Sequence, residues 1–197
     1  MIIIVEFMRG GVLQQKNQDT AVFVPIVEIR GEYYLLLTRR STRISHPGQV
    51  SFPGGHIEDD ETLLECAIRE MREEIGASPS SLEEVCPLNV NTTVTSGKVI
   101  TSFAGFIDKL EFKLDRREVE DVIFLSLKAL SLTSPETIIM PNGKKTIRYR
   151  FPGFVVWGAT ARIIEASIER IIEIIENRGN GNSDCLNDDE VIHIREE

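Results

Sequence analysis

Along the chain the apolar positions change period, and each change marks an element. Ala21 to Ile29 (AVFVPIVEI) is an apolar, β-branched run that predicts a strand. A turn at Gly31 leads into Tyr33 to Thr38 (YYLLLT), a second strand. From Arg39 to Gly55 the sequence is polar and broken by Pro47-Gly48 and Pro53-Gly54-Gly55, which predicts a loop. Helical spacing then runs from about Asp60 to Ile75, with Asp59 or Asp60 as N-cap and Gly76 as the stop. Strands are predicted at Val99 to Ile107 and Val122 to Leu125, then at Ile147 to Phe151 and Phe154 to Trp157 around a Pro152-Gly153 turn. A last helix spans Ala159 to Glu176, with Ile163, Ile164, Ala166, Ile168, Ile171 and Ile174 as its apolar positions.

Strands interleaved with two substantial helices predict an α+β chain, arranged as an α/β/α sandwich. The length of 197 residues suits one domain over 1–177. A Gly/Asn-rich linker and an acidic tail over 178–197 would follow, whose Val191-Ile192-His193-Ile194 could add an edge strand. A net charge of −9 argues against nucleic acid as the main partner, because phosphate backbones need a basic excess. No apolar stretch is long enough to cross a membrane as a helix, and the start lacks the basic region of a signal peptide. Cys66, Cys86 and Cys185 form no close pair, which suits a reducing cytoplasm rather than a disulfide framework.

The segment Gly55 to Ala77 carries the chemistry. Leu64, Ile68, Met71 and Ile75 fall within about 60° of one another on a helical projection and form a core stripe. Glu70, Glu73 and Glu74 share an arc of about 100° beside that stripe. Like charges at this spacing repel, and they sit in the last turns, where the helix dipole disfavours them. A hard divalent cation with oxygen ligands would relieve both penalties. A solvated face braced by Glu65–Arg69 and Arg69–Glu73 pairs would also accommodate the residues.

Gly55, Glu61 and the run Arg69-Glu70-Met71-Arg72-Glu73-Glu74-Ile75-Gly76-Ala77 resemble the Nudix box, with only Ala77 smaller than usual. The resemblance implies a Mg²⁺- or Mn²⁺-dependent hydrolase of a nucleoside diphosphate linked to another group, on a Nudix-type sandwich with a mixed sheet. It implies Glu70, Glu73, Glu74 and the Gly55 carbonyl as metal ligands, and Glu61 and Arg69 as orienting residues. The base in this family lies on the box helix (Glu73 or Glu74) or on a loop beyond it, where Glu118 and Glu120 are candidates and Glu120 is slightly preferred.

Upstream, Leu36-Leu37-Thr38-Arg39-Arg40-Ser41 leads through His46-Pro47-Gly48-Gln49-Val50 to Phe52-Pro53-Gly54-Gly55. This is similar to the extra motif of the coenzyme A pyrophosphatase branch, as are Thr95-Ser96-Gly97, Glu118 to Val122 and Phe154 to Ala161. The likeness covers about residues 20 to 177, not the first 20 or the tail. It implies cleavage of coenzyme A or acyl-coenzyme A to 4′-phosphopantetheine and adenosine 3′,5′-bisphosphate. Arg39, Arg40 and Arg43 would bind charge left over on the substrate, with His46 and Gln49 as polar contacts. A shortened stretch between Ser41 and Gly48, and Lys98 and Ser102 in place of an aromatic and a Pro, depart from the branch. They leave ADP-ribose or another nucleoside diphosphate derivative as an alternative substrate, and a non-catalytic Nudix-fold nucleotide-binding module as a third reading. Trp157 reads as core packing more than as an adenine platform. Dimerisation is common in the family and would suit the apolar N-terminus, an argument by analogy.

Overall fold

The computed structural model describes residues 20–92 and 98–181. The N-terminal stretch, Thr95-Ser96-Gly97 and the tail with its expected edge strand lie outside these residues. Strand β1 (Thr20–Ile29) pairs antiparallel with β2 (Glu32–Arg40) and parallel with β6 (Val99–Phe106). β5 (Cys86–Thr92) closes the far side against β6, and β7 (Val119–Ser126) lies along β2. The short β3 (Val50–Ser51) and β4 (Gly54–His56) pair with the ends of β2 and β1. One parallel pair among antiparallel ones makes this seven-stranded sheet mixed, as expected. A second, antiparallel sheet has the order β10-β9-β8, from β8 (Glu136–Ile139), β9 (Lys145–Phe151) and β10 (Phe154–Trp157).

The nearly unbroken apolar run of β1 is explained by burial on both faces. Ala21, Phe23 and Val27 pack with α1 (Leu63–Ile75), while Val22, Val24 and Ile26 face α3 (Ala159–Gly179) and the small sheet. β2 alternates in the same way, with Leu36 on the α1 side and Leu35 and Leu37 on the other. This parity decides where Arg39 and Arg40 point.

Several boundaries differ from the sequence reading. The N-cap of α1 is Thr62 rather than Asp59 or Asp60. The Thr62 hydroxyl accepts from the Glu65 amide and the Glu65 carboxylate from the Thr62 amide, a capping box that outcompetes a lone Asp, while Asp60 turns to φ 70°. Strand β7 starts at Val119, and β5, β8 and the short α2 (Leu127–Ser131) were not foreseen. Helix α3 continues to Gly179, so the expected linker begins inside it. Ala166, assigned to its buried stripe, is exposed, and Ser167 takes the buried place.

The cysteine expectation also changes. Cys66 is free and buried, but Cys86 on β5 is disulfide-bonded, and Cys185 lies outside the described residues. Distance along the chain does not set distance in the fold, so cysteine spacing no longer argues for a reducing compartment. No helix among the described residues is long and apolar enough to cross a membrane.

The capping box fixes where α1 begins and hence the register of its carboxylates. Thr62→Ala is expected to lower stability by about 1 kcal/mol, or about 2–4 °C in thermal melting for a chain of this size. Thr62→Ser, which keeps the accepting oxygen, should melt within about 1 °C of the parent.

Candidate active site

Two glycines let β4 run hard against its neighbours. Gly54 has φ 155°, and a side chain there would overlap the Ala21 carbonyl and Val22 of β1. A side chain at Gly55 would overlap the Glu70 carboxylate itself. The Gly55 carbonyl accepts from the Cys66 thiol at 3.7 Å. Burial pushes that thiol up to about 12, with Glu61 acting in the same sense, so Cys66 is a packing residue rather than a thiolate.

The carboxylates of the box converge on one guanidinium. Arg69 donates from Nε to Glu61 Oε2 at 2.9 Å and from Nη2 to Glu61 Oε1 at 2.8 Å. Its Nη1 reaches Glu70 Oε1 at 3.0 Å and Glu73 Oε2 at 3.2 Å, and Nη2 also donates to the His56 carbonyl at 3.1 Å. The Arg69 bonds hold the Glu61 carboxyl below its usual range, and the Glu58 amide donates to Glu61 as well. Glu61 therefore braces Arg69, which in turn spans Glu70 and Glu73.

Glu70 is raised despite that contact, because its burial outweighs the cation and Glu73 and Glu118 add repulsion. Glu74 is more extreme: its side chain is buried, and desolvation with help from Glu70 and Glu118 pushes it up to about 8. The Gly54 amide donates to Glu74 and Arg40 stands near enough to oppose the shift, but neither offsets the burial. Its Oε2 is buried without a partner among the described residues. A buried acceptor left unpaired is costly, and a cation beside it would remove that cost.

These residues suit a hard divalent ion by donor chemistry: carboxylate oxygens, one of them orphaned, next to a backbone carbonyl. They are not gathered into a closed cage. Among the described residues no three acids, histidines or cysteines already converge as a metal site. The reason is visible in Arg69, which occupies oxygens of Glu70 and Glu73. To hold an ion, those two carboxylates would have to turn from the guanidinium while Glu61 kept it.

The loop acids separate. Glu118 acts electrostatically on both Glu70 and Glu74, and its carbonyl accepts from the Ser41 amide at 2.7 Å. Glu120 sits where the pairing of β7 with β2 slips between Arg39 and Arg40, is exposed, and gives its carbonyl to Arg116. Glu118 is thus the loop acid whose charge is felt by Glu70 and Glu74, while Glu120, slightly preferred from the sequence, acts on neither. An irregular register, which no sequence pattern displays, separates them.

The upstream arginines also part company. Arg40 shares the α1 face with Leu36 and donates from Nε to the Ser45 carbonyl at 3.1 Å. Arg39 lies on the opposite face, where with His46, Gln49 and Trp157 it lines a cavity of about 240 Å³. Arg43 is exposed on the turn that follows them, with its amide donating to the Ser41 hydroxyl. The alternation of β10 could have revealed Trp157: Phe154 and Val156 enter the core, which leaves Val155 and Trp157 on the other face.

Residues 17–147 match a family model described as NUDIX domain. A protein named as an uncharacterized Nudix hydrolase, NudL, from Yersinia enterocolitica is 33% identical over 173 residues, covering 83% of this chain and 86% of that one. The human mitochondrial coenzyme A diphosphatase NUDT8 is 31% identical over 167 residues, covering 80% of this chain and 71% of that one. In fold, the chain is similar to the NUDIX domain of Shewanella oneidensis NrtR complexed with ADP ribose, with a TM-score of 0.55 and 19% identity over 79% of this chain and 88% of that one. It is also similar to a MutT/nudix family protein from Enterococcus faecalis, with a TM-score of 0.57 and 15% identity over 79% and 62%.

The raised carboxyl of Glu74 has a consequence for stability. Its folded value of about 8 exceeds the ordinary 4.5, so the folded state binds the proton more tightly. That contribution is complete below about pH 4.5 and is lost as pH rises through about 8. Glu70, also raised, acts in the same sense, while Glu61, lowered, opposes the trend only at the acid end of this window. With chelator present, melting temperature should fall by about 4–8 °C between about pH 5 and about pH 8, on the order of 2 kcal/mol. Glu74→Gln should flatten most of that slope, as followed by thermal denaturation.

Proposed function

The chain belongs to the Nudix family of pyrophosphate hydrolases, and from this premise we propose that it cleaves coenzyme A or acyl-coenzyme A to 4′-phosphopantetheine and adenosine 3′,5′-bisphosphate. The observation that carries the proposal is the loop from Leu36 to Gly55. It resembles the motif of the coenzyme A branch, and it joins an arginine on the carboxylate side of the sheet to an arginine, a histidine and a glutamine around a cavity on the other. The human relative named as a coenzyme A diphosphatase supports the same reading.

Glu70, Glu73, Glu74 and the Gly55 carbonyl would hold a divalent cation, Mg²⁺ or Mn²⁺. When bound, it supplies charge neutralisation for the pyrophosphate and lowers the pKa of water. The chain's own residues do the rest. Arg69 releases Glu70 and Glu73 but stays anchored on Glu61, so the helix face keeps a cation close by without losing its ligands. Glu118 faces Glu70 and Glu74 and accepts the proton of the attacking water. Attack at one phosphorus breaks the anhydride bond, and the leaving phosphate takes the electron pair. Arg40, on the same face, offers charge to the non-bridging oxygens.

A second substrate, ADP-ribose, keeps this chemistry. Lys98 is the observation on its side. Standing where the coenzyme A branch usually has an aromatic residue, it contacts Nε2 of His56, the last residue of β4, at 2.6 Å.

With Mg²⁺ and equal concentrations of coenzyme A and ADP-ribose, chromatography should resolve mainly adenosine 3′,5′-bisphosphate; AMP as the main product would move the reading to ADP-ribose. Glu74→Gln and Glu118→Gln should each lower kcat by about 100-fold or more. Glu120→Gln should stay within about threefold of the parent, and an equal loss there would remove Glu118 from the base role.

A further inference from the structure

The cavity beside Arg39 lies on the face of the sheet away from α1, and its walls are unlike a core. In the small sheet Trp157 pairs across from Arg148 and Val155 from Arg150. Phe154 and Val156, the alternate residues of β10, pack inward with Tyr149 and Phe151. Trp157 is therefore half-buried on a surface it shares with two arginines. Arg148 is already committed, donating to Glu136 at 3.0 and 2.8 Å. Arg39 is not: it is half-buried and makes no side-chain hydrogen bond or ion pair among the described residues.

The loop that forms the other wall is fixed. Arg40 donates its amide to the Gln49 carbonyl at 2.9 Å, and Gly48 donates back to the Arg40 carbonyl at 3.0 Å. His46 is held at φ 59°, a left-handed conformation costly for a residue with a side chain. A flat indole, an uncommitted guanidinium and a braced loop border an open cleft of about 240 Å³. That is below the roughly 300–1,000 Å³ of sites that hold a whole small-molecule ligand. It suits one ring system and an adjoining phosphate.

We propose that Trp157 is the stacking platform for the nucleobase of the substrate and that Arg39 binds the phosphate on the adjoining ribose. The inference rests on the pyrophosphatase reading and extends it by assigning the two halves of the substrate to two faces. The nucleoside lies over β10, and the other half of the substrate runs from the pyrophosphate along the α1 side. Aromatic rings accept any base face, so Trp157 supplies affinity for adenine, while the Arg39 fork distinguishes a ribose phosphate from a free hydroxyl.

Trp157 is the chain's single tryptophan, so its emission reports on this cavity alone. The full chain, with chelator, is titrated with adenosine 3′,5′-bisphosphate, AMP and 4′-phosphopantetheine. Saturable quenching is expected from both adenine nucleotides, with the bisphosphate at least about tenfold tighter, and Arg39→Ala should remove that difference. 4′-Phosphopantetheine should leave the emission unchanged. Trp157→Leu should raise KM roughly 10–100-fold with kcat within about threefold, and Trp157→Phe should recover most of the loss. Quenching by 4′-phosphopantetheine but not by nucleotides would overturn the proposal, as would coenzyme A hydrolysis with the emission unmoved by either nucleotide. Nucleotide quenching without hydrolysis of coenzyme A or ADP-ribose would support the base platform while removing the hydrolase reading beneath it.

Discussion

One guanidinium stands between acids that would otherwise repel one another, and the structure around α1 is arranged to keep it there. Arg69 is held bidentately by Glu61, which is itself held by the Glu58 amide, and it divides its remaining donors between Glu70, Glu73 and the His56 carbonyl. Removing that cation would leave Glu70 against the backbone of Gly55 with no compensating charge. The glycine is required for the same reason, since any side chain there would displace the Glu70 carboxylate. The local geometry of β4, the capping of α1 and the charge of its exposed edge are thus one coupled constraint.

Glu74 escapes that arrangement. Arg69 does not reach it, burial raises its carboxyl, and one of its oxygens is left without a partner. A neutral acid in this position is tolerable, whereas an ionised one is costly until a cation arrives. In the proposed function the site is poised: Arg69 satisfies the outer carboxylates, and the inner one waits for the ion that makes its charge favourable.

Much of this was legible in the sequence because the box is local. A helix with a core stripe and three acids on the adjoining arc is set by spacing alone, and the order of strands and helices is enough for an α+β sandwich. What could not be read depends on partners distant in sequence. The capping box moved the start of α1 by two or three residues, because Thr62 and Glu65 satisfy each other while Asp60 satisfies nothing helical. The irregular pairing at Arg39 and Arg40 set Glu118 rather than Glu120 toward the acids. Strand parity sent two neighbouring arginines to opposite faces, though in the sequence they read as one basic loop. Trp157 read as core because it precedes a helix, yet it pairs across from Arg148 and lines a cavity.

At neutral pH the proposed site keeps the Glu74 carboxyl protonated until a divalent cation displaces the proton. Calorimetric titration of the full chain with Mg²⁺, in buffers of different ionisation enthalpy, measures the protons released per ion bound. At pH 7 about one proton should be released from Glu74, falling toward zero by about pH 9 and absent in Glu74→Gln. Mg²⁺ binding at pH 7 with no proton released would mean that Glu74 is already ionised, and would contradict this protonation state.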